Sequence, residues 1–346
     1  VTTGAVDALV AGATERSPMA VADSKSGARF ERVVLDGRAH VLKHVDRADD
    51  WIMRQTGDLG CVPVTVWESG VLDLLPDCVD HATVGAAREW TAGEAGGEGG
   101  GEGGEGLAGA RGAVLMRDVG AALVRDDGSP LDEAQHLRFL DHLAACHAAT
   151  LGWRDDVGLV PLANRYSFFG PDALACEAAR PSPHPVPALA AAGWAQLPDA
   201  APRFHELVAP LRSAPDRVLT ALADPPHAFL HGDWKAANLG TDAQGRTVLV
   251  DWSMAGEGPL LTEVLHYATL NARRLPHGHG FADVLAVYRA ALESRGVRTD
   301  PWWDTQLAAC TIGVMLQLGW ARAHDTPAAI AAWTARVEDS LRSLPC

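Results

Sequence analysis

Three side chains able to take a proton or ligate a metal recur at fixed intervals in this 346-residue chain: Asp233, Asn238 five residues on, and Asp251 thirteen beyond that. They lie in Phe229-Leu230-His231-Gly232-Asp233-Trp234-Lys235-Ala236-Ala237-Asn238 and in Val248-Leu249-Val250-Asp251-Trp252. Phosphoryl transfer requires a carboxylate to orient and deprotonate the attacking hydroxyl, and oxygen ligands to hold Mg²⁺ on the nucleotide phosphates. A His-x-Asp-x-x-x-x-Asn segment followed by an Asp on the next strand supplies those groups. An Asp-x-x-x-x-Asn pair alone reads as a polar surface loop; the histidine, the spacing and the second acid set this stretch apart.

The elements that must position these groups can be read around them. The first run is apolar up to Leu230 and then polar, as a strand end opening into a loop is. Thr241 to Arg246 is rich in turn formers and Thr247 to Val250 is a short buried strand, so a hairpin-like return carries Asp251 back beside Asp233 and Asn238. Upstream, Asp23-Ser24-Lys25-Ser26-Gly27 is a loop whose amides, Ser26 among them, can approach phosphate oxygens. Phe30–Leu35 and His40–Val45 flank Asp36-Gly37, a hairpin signal. Lys43 shares a strand face with Val41 and Val45, and a lysine among inward valines needs an anion, for which a nucleotide phosphate serves. Three acids are open as its protein partner: Asp49, Asp58 and Glu68. Residues 46–59 read as a short helix and Val62–Glu68 as a strand. The Gly/Glu-rich segment 92–110 reads as a mobile loop, Ala113–Met116 as a strand, and Met116 to Asp118 as a hinge whose main chain can pair with an adenine edge.

From Leu131 onward the pattern is helical, with Leu137, Leu140, Leu143, Ala144 and His147 at three- and four-residue steps. His136, His142 and His147 do not share a face at ligand spacing and read as core or surface histidines, as do His277 and His279. Residues 181–202, rich in Pro and Ala, read as a loop with short helical turns. Further helices are expected around Glu263–Tyr267 and over 281–295, 305–323 and 328–344. Strands followed by helices give an α+β chain with a small sheet lobe and a larger helical lobe. A net charge of −15 argues against nucleic acid and anionic membrane surfaces as partners. Six scattered cysteines, no basic apolar leader and no long apolar run point to a cytoplasmic protein with reduced thiols.

His231-Gly232-Asp233-Trp234-Lys235-Ala236-Ala237-Asn238 and Val250-Asp251-Trp252-Ser253, extended by Gly258-Pro259 and by Glu263 where an Asp is frequent, resemble the aminoglycoside phosphotransferase and choline kinase-like family. The resemblance implies a two-lobed protein-kinase-like fold, with a nucleotide-binding lobe over 1–116 and a helical lobe with catalytic loop and acceptor site over 117–346. It implies ATP and Mg²⁺ as cofactors, Asp233 as catalytic base, Asn238 and Asp251 as metal ligands, and Lys43 on the α- and β-phosphates. Lys235, two residues after the base, can neutralise charge on the transferring group, and His231 braces the loop. A glycine-rich phosphate motif is absent. The implied partner is a small-molecule hydroxyl acceptor, an amino sugar, aminoglycoside or amino alcohol, bound near Trp302 and Trp303 with Glu257 and Asp304 as counter-charges. A non-catalytic kinase-like binding module and a protein kinase are the alternatives; the three intact polar residues weigh against the first, and the missing A-P-E segment against the second.

Overall fold

Asp36 and Gly37 both take positive φ (49° and 71°), which gives a two-residue turn whose twist matches that of paired strands. It joins β2 (Arg29–Leu35) to β3 (Arg38–Asp46) in a computed structural model that describes residues 5–21, 26–92 and 107–344. Ahead of the hairpin are a short helix α1 (Ala5–Ala8) and β1 (Glu15–Met19). Behind it come α2 (Trp51–Thr56), α3 (Val62–Glu68), β4 (Val79–His81), β5 (Thr83–Ala92) and β6 (Leu107–Arg117). The strands form an antiparallel sheet in the order β1-β2-β3-β6-β5. Alternation along β3 sends Leu42 to one face, against Val33, Ala113 and Leu115, and Val45 to the other, against Met53, Val64 and Val114. Lys43 lies on the Val45 face, as the alternation requires.

Two segments of this half differ from the sequence reading. Val62–Glu68 is a helix, not a strand: Pro63 occupies its first turn, the Asp58 carboxylate accepts from Val62 N at 2.7 Å, and Val62, Val64 and Val66 are buried. Its β-branched residues favour a strand locally, but burial against β5 and β6 decides. Gly112 makes that packing possible, since a Cβ there would stand 2.4 Å from Cys61 Sγ. The loop expected over 92–110 lies for the most part outside the described residues, as do Ser24 and Lys25; from Leu107 onward the chain is already strand.

The second half is helical. It comprises α4 (Glu133–Ala149), α5 (Leu162–Ser167), α6 (Pro171–Ala178), α7 (Pro185–Ala200), α8 (Pro202–Ser213) and α9 (Asp216–Leu222). The strands β7 (His227–Leu230), β8 (Leu239–Thr241), β9 (Thr247–Leu249) and β10 (Gly256–Pro259) then frame the motif. The chain closes with α10 (Leu261–Leu270), α11 (Phe281–Ser294), α12 (Trp303–Leu318) and α13 (Pro327–Ser343). The α7 helix occupies most of the span read as a loop. Its prolines at the first turn occupy positions with no intrahelical N–H bond to lose, and its alanines favour helix. Among the described residues no helix is long and apolar enough to cross a membrane.

The two halves are joined through α2. Trp51 stacks on Phe168, Phe169 and His184 with centroids at 6.0, 5.5 and 5.9 Å. Arg54 pairs with Glu177 of α6 at 2.6 Å, and Asn164 Nδ2 donates to Thr56 O at 2.7 Å. Glu177 is 1% exposed, so its charge depends on Arg54 for solvation. Glu177→Gln is therefore expected to lower unfolding stability by about 1–3 kcal/mol, measured by urea denaturation; a change within a few tenths would show that the pair contributes nothing.

Candidate active site

The turn between β7 and β8 carries Asp233 and Asn238, and the β8–β9 return brings Asp251 to the same cleft. Asp233 follows Gly232, which sits at φ +85°. Asn238 ends a 3₁₀ turn (Ala236–Asn238), and its Nδ2 donates to Asp233 Oδ2 at 2.8 Å and to Asp233 O at 3.0 Å. Both amide protons are thereby committed, and the remaining amide oxygen is the atom suited to a hard cation. Lys235 Nζ lies 2.8 Å from the same Asp233 Oδ2. His231 accepts from Asp233 N at 3.3 Å through Nδ1 and lies 3.0 Å from Val250 O through Nε2, which fixes the tautomer with the proton on Nε2. His231 thus ties the Asp233 loop to the strand leading to Asp251. The antiparallel pairing of β8 with β9 is the expected return.

Asp251 has φ +66°, an uncommon conformation for a residue with a Cβ, which Asp tolerates better than most. Its Oδ1 meets Lys43 Nζ at 2.7 Å and accepts from Ser253 Oγ at 2.7 Å. Burial would raise the Asp251 carboxyl, but the charge and hydrogen bond of Lys43, with the Ser253 hydroxyl, bring it well below the usual carboxylate range. Burial likewise works against charge on Lys43, and the Asp251 carboxylate more than offsets it, leaving the ammonium above its ordinary value.

None of the three acids left open as the partner of Lys43 fills that place. Asp49 is exposed, Asp58 caps α3, and Glu68 pairs with Arg88. The acid behind Lys43 is instead Asp50, fully buried, whose Oδ1 caps α2 by accepting from Ile52 N at 2.8 Å and Met53 N at 3.2 Å. Its Oδ2 is buried with no hydrogen-bond partner among the described residues. Burial pushes the Asp50 carboxyl up to about 6, against the pull of the Lys43 ammonium. Asp is a favoured residue at helix starts, so the capping role of Asp50 is readable in Asp49-Asp50-Trp51; its proximity to Lys43 is not.

These residues line one open cleft of about 1030 Å³, counting the space continuous with solvent. Lys43, Asp233, Lys235, Asn238, Asp251 and the buried Ser26 are among its lining. Val41, Ile52, Met116 and Leu123 make an apolar slot beside the hinge. In that hinge Arg117 N donates to Ala82 O at 2.8 Å and Asp118 N to Ala39 O at 3.2 Å, so both amides are spent within the protein. Trp302, Trp303, Glu257 and Asp304 do not line the cleft. Glu257 instead holds His227 at 2.8 Å and Arg154 at 2.6 Å. His136, His142 and His147 are engaged by Tyr267, Thr247 and Glu263 respectively.

The profile of the phosphotransferase enzyme family (APH) matches residues 90–298, more than half of the chain. The chain belongs to this family. A comparison with curated protein sequences finds no match. Among solved structures, an amicoumacin kinase (hAmiN) in complex with AMP-PNP, Ca²⁺ and Ami is similar at TM-score 0.51 and 14% identity, covering 95% of this chain and 90% of that one. A microcompartment-associated aminopropanol kinase is similar at TM-score 0.48 and 15% identity, over 97% and 94%. The choline kinase LicA from Streptococcus pneumoniae is similar at TM-score 0.46 and 11% identity, over 98% and 95%. The fold is the two-lobed kinase-like one, with a β-rich N-terminal part and a helical C-terminal part.

In this family member the loop is held from below by α10. Glu263 Oε1 accepts from Gly232 N at 2.6 Å and Oε2 from His231 N at 3.2 Å, while His147 Nε2 approaches Oε2 at 2.9 Å. Two turns on, Asn271 Oδ1 accepts from Ala236 N at 3.1 Å. Burial would push the Glu263 carboxyl up, but the hydrogen bond and charge of His147 and the Gly232 amide hold it below the ordinary range. A carboxyl lowered in the folded state stabilises fully above its unfolded pKa of about 4.3 and ceases to do so as pH falls through its native value. Glu263→Gln is therefore expected to cost about 1–3 kcal/mol at pH 7, and the difference from the unmodified protein should shrink below about pH 4. A difference that stays constant from pH 6 into the acid unfolding range would show that the carboxylate is not what holds the loop.

Proposed function

We propose that this phosphotransferase moves the γ-phosphoryl group of ATP onto a hydroxyl of a small molecule of the amino sugar or amino alcohol class. The observation that carries the reading is the convergence of Lys43, Asp233, Asn238 and Asp251, from both halves of the chain, on one cleft. Asp233 Oδ2 is occupied by Asn238 and Lys235, which leaves Oδ1 to accept the proton of the acceptor hydroxyl. Lys235 stands where negative charge accumulates on the transferring group. Lys43 is set to exchange its contact with Asp251 for the α- and β-phosphates, with the buried Asp50 carboxylate keeping the ammonium in place from behind. The apolar slot at Val41, Met116 and Leu123 suits a flat base, with the main chain of Met116 to Asp118 at its edge and Ser26 near the phosphates. With Arg117 N and Asp118 N already bonded, the hinge carbonyls and the next free amide are the groups left for base pairing.

Asn238 and Asp251 fit a divalent cation of the Mg²⁺ type, since each offers oxygen and such ions take few protein ligands beside phosphate. A cation held there would supply positive charge that offsets the negative charge of the phosphates. The similarity in fold to a kinase solved with AMP-PNP and Ca²⁺ supports a nucleotide–metal pair in this cleft. The thiols of Cys61, Cys78, Cys146, Cys176 and Cys310 are free, which fits a reducing, cytoplasmic setting.

The test is turnover of Mg·ATP against a panel of amino sugars, amino alcohols and generic protein substrates. Transfer to one small alcohol supports the reading; failure with all, together with no Mg·ATP binding, removes it. Asp233→Ala is expected to lower kcat by about 10²–10⁴-fold while nucleotide affinity, followed by calorimetry, changes little. Lys43→Met should weaken nucleotide binding, and Asp50→Asn should do so by a smaller factor; unchanged ATP affinity in Lys43→Met would exclude the phosphate role.

A further inference from the structure

Behind the catalytic loop lies a buried cation with no acid in contact. Arg165, in α5, is fully buried. Its Nη1 donates to Gly232 O at 3.2 Å and its Nη2 to Met254 O at 2.6 Å. No carboxylate pairs with it among the described residues, and its Nε has no hydrogen-bond partner there. Burial lowers its pKa, while the charges of Glu263 and Asp233 act on it from a distance. The two carbonyls it bridges belong to the residue before Asp233 and the residue three after Asp251. The approach is so close that a Cβ on Gly232 would fall 1.8 Å from Met254 O and 2.4 Å from Arg165 Nη1. Gly232 is thus required by this crossing as well as by its φ of +85°. The backbone of Arg165 is itself held by Gln317 Nε2, which donates to Arg165 O at 2.5 Å.

We propose that Arg165 is a positioning residue for phosphoryl transfer, its guanidinium setting the separation between the segment that carries the base and the segment that carries the metal-binding acid. The role rests on the phosphotransfer reading above. A guanidinium is a rigid planar fork that can address two carbonyls at once; an ammonium is a point donor on a flexible stem. An apolar side chain would leave both carbonyls buried without a donor, which costs stability but says nothing of catalysis. A loop free to shift by a fraction of an ångström still binds nucleotide, because Lys43 and the hinge do not depend on the crossing, but it no longer presents Asp233 in line with the transferred group.

Arg165→Lys and Arg165→Met, compared with the unmodified chain, test this. For Arg165→Lys, which keeps charge and stem, we expect a folded protein with kcat reduced about 10–10²-fold and KM for ATP within threefold. Arg165→Met should show the same split with a larger loss of thermal stability; if it does not fold, the lysine variant decides. A folded Arg165→Lys with unchanged kcat overturns the proposal, as does a loss shared equally by kcat and nucleotide affinity, or failure of both variants to fold, since each marks a structural role only. If the unmodified chain transfers phosphate to no acceptor, the phosphotransfer reading fails first and this role with it.

Discussion

An ammonium and a carboxylate 208 positions apart in sequence meet at 2.7 Å, and both line the cleft. Lys43 comes from the sheet and Asp251 from the far side of the catalytic loop, so the pair sets how the two halves face each other. Neither group is comfortable alone. A buried lysine without an acid loses its proton or its place, and burial works against the charge on Asp251 unless a cation offsets it. The chain carries a net charge of −15, yet it concentrates Lys43 and Lys235 where a polyanion would enter. In the proposed function a triphosphate with its cation would take over both halves of the contact, offering anions to Lys43 and positive charge to Asp251. The arrangement is therefore stable in its own right and open to exchange.

The loop that carries Asp233 has irregular backbone and must satisfy its amides and carbonyls from outside itself. The supports divide by charge. Glu263 and Asn271 of α10 accept from the amides of residues 231, 232 and 236, while Arg165 donates to the carbonyl of Gly232 and His231 bridges from Asp233 N to Val250 O. A buried acid beneath the N–H groups and a buried base beneath the C=O groups are complementary, and each reduces the cost of burying the other. His147, read from sequence as an ordinary core histidine, contributes by holding Glu263 and is held in turn by Tyr288 OH at 2.5 Å.

What was legible in the sequence was what is local. Asp36-Gly37 specified its own hairpin through backbone sterics, and the Asp233, Asn238 and Asp251 spacing encoded the loop and its return because the intervening turn is short. Lys43 could be placed on an inward face by alternation alone. Its acid could not, because Asp49, Asp50 and Asp58 differ little in local context and only the docking of α2 and α3 selects among them. Val62–Glu68 carries a strand composition that burial of its valines overrides, and Pro185 and Pro187 of α7 look like loop residues until they fall in its first turn. Arg165 had no signal: Leu-Ala-Asn-Arg-Tyr-Ser is an unremarkable helical turn, and its meaning depends on carbonyls 67 and 89 positions away.

The placement of Asp50 has a mechanical consequence. One oxygen of its carboxylate fixes the first turn of α2, and the other is buried with no hydrogen-bond partner among the described residues, while the Lys43 charge acts on the group. The same helix is fastened to the helical half by Trp51 against Phe168 and Phe169, by Arg54 on Glu177 and by Thr56 O on Asn164. Asp50, whose charge also acts on Lys43, is thus rooted in the half that holds Asp233, through α5 and α6, and α5 is also the helix that supplies Arg165. A displacement of α5 would move the crossing at Gly232 and the foot of α2 together. The segments that carry Asp233 and Asp251, through Arg165, and the helix that carries Asp50, through Asn164, are therefore fastened to one short helix, while Lys43 itself is held by the sheet.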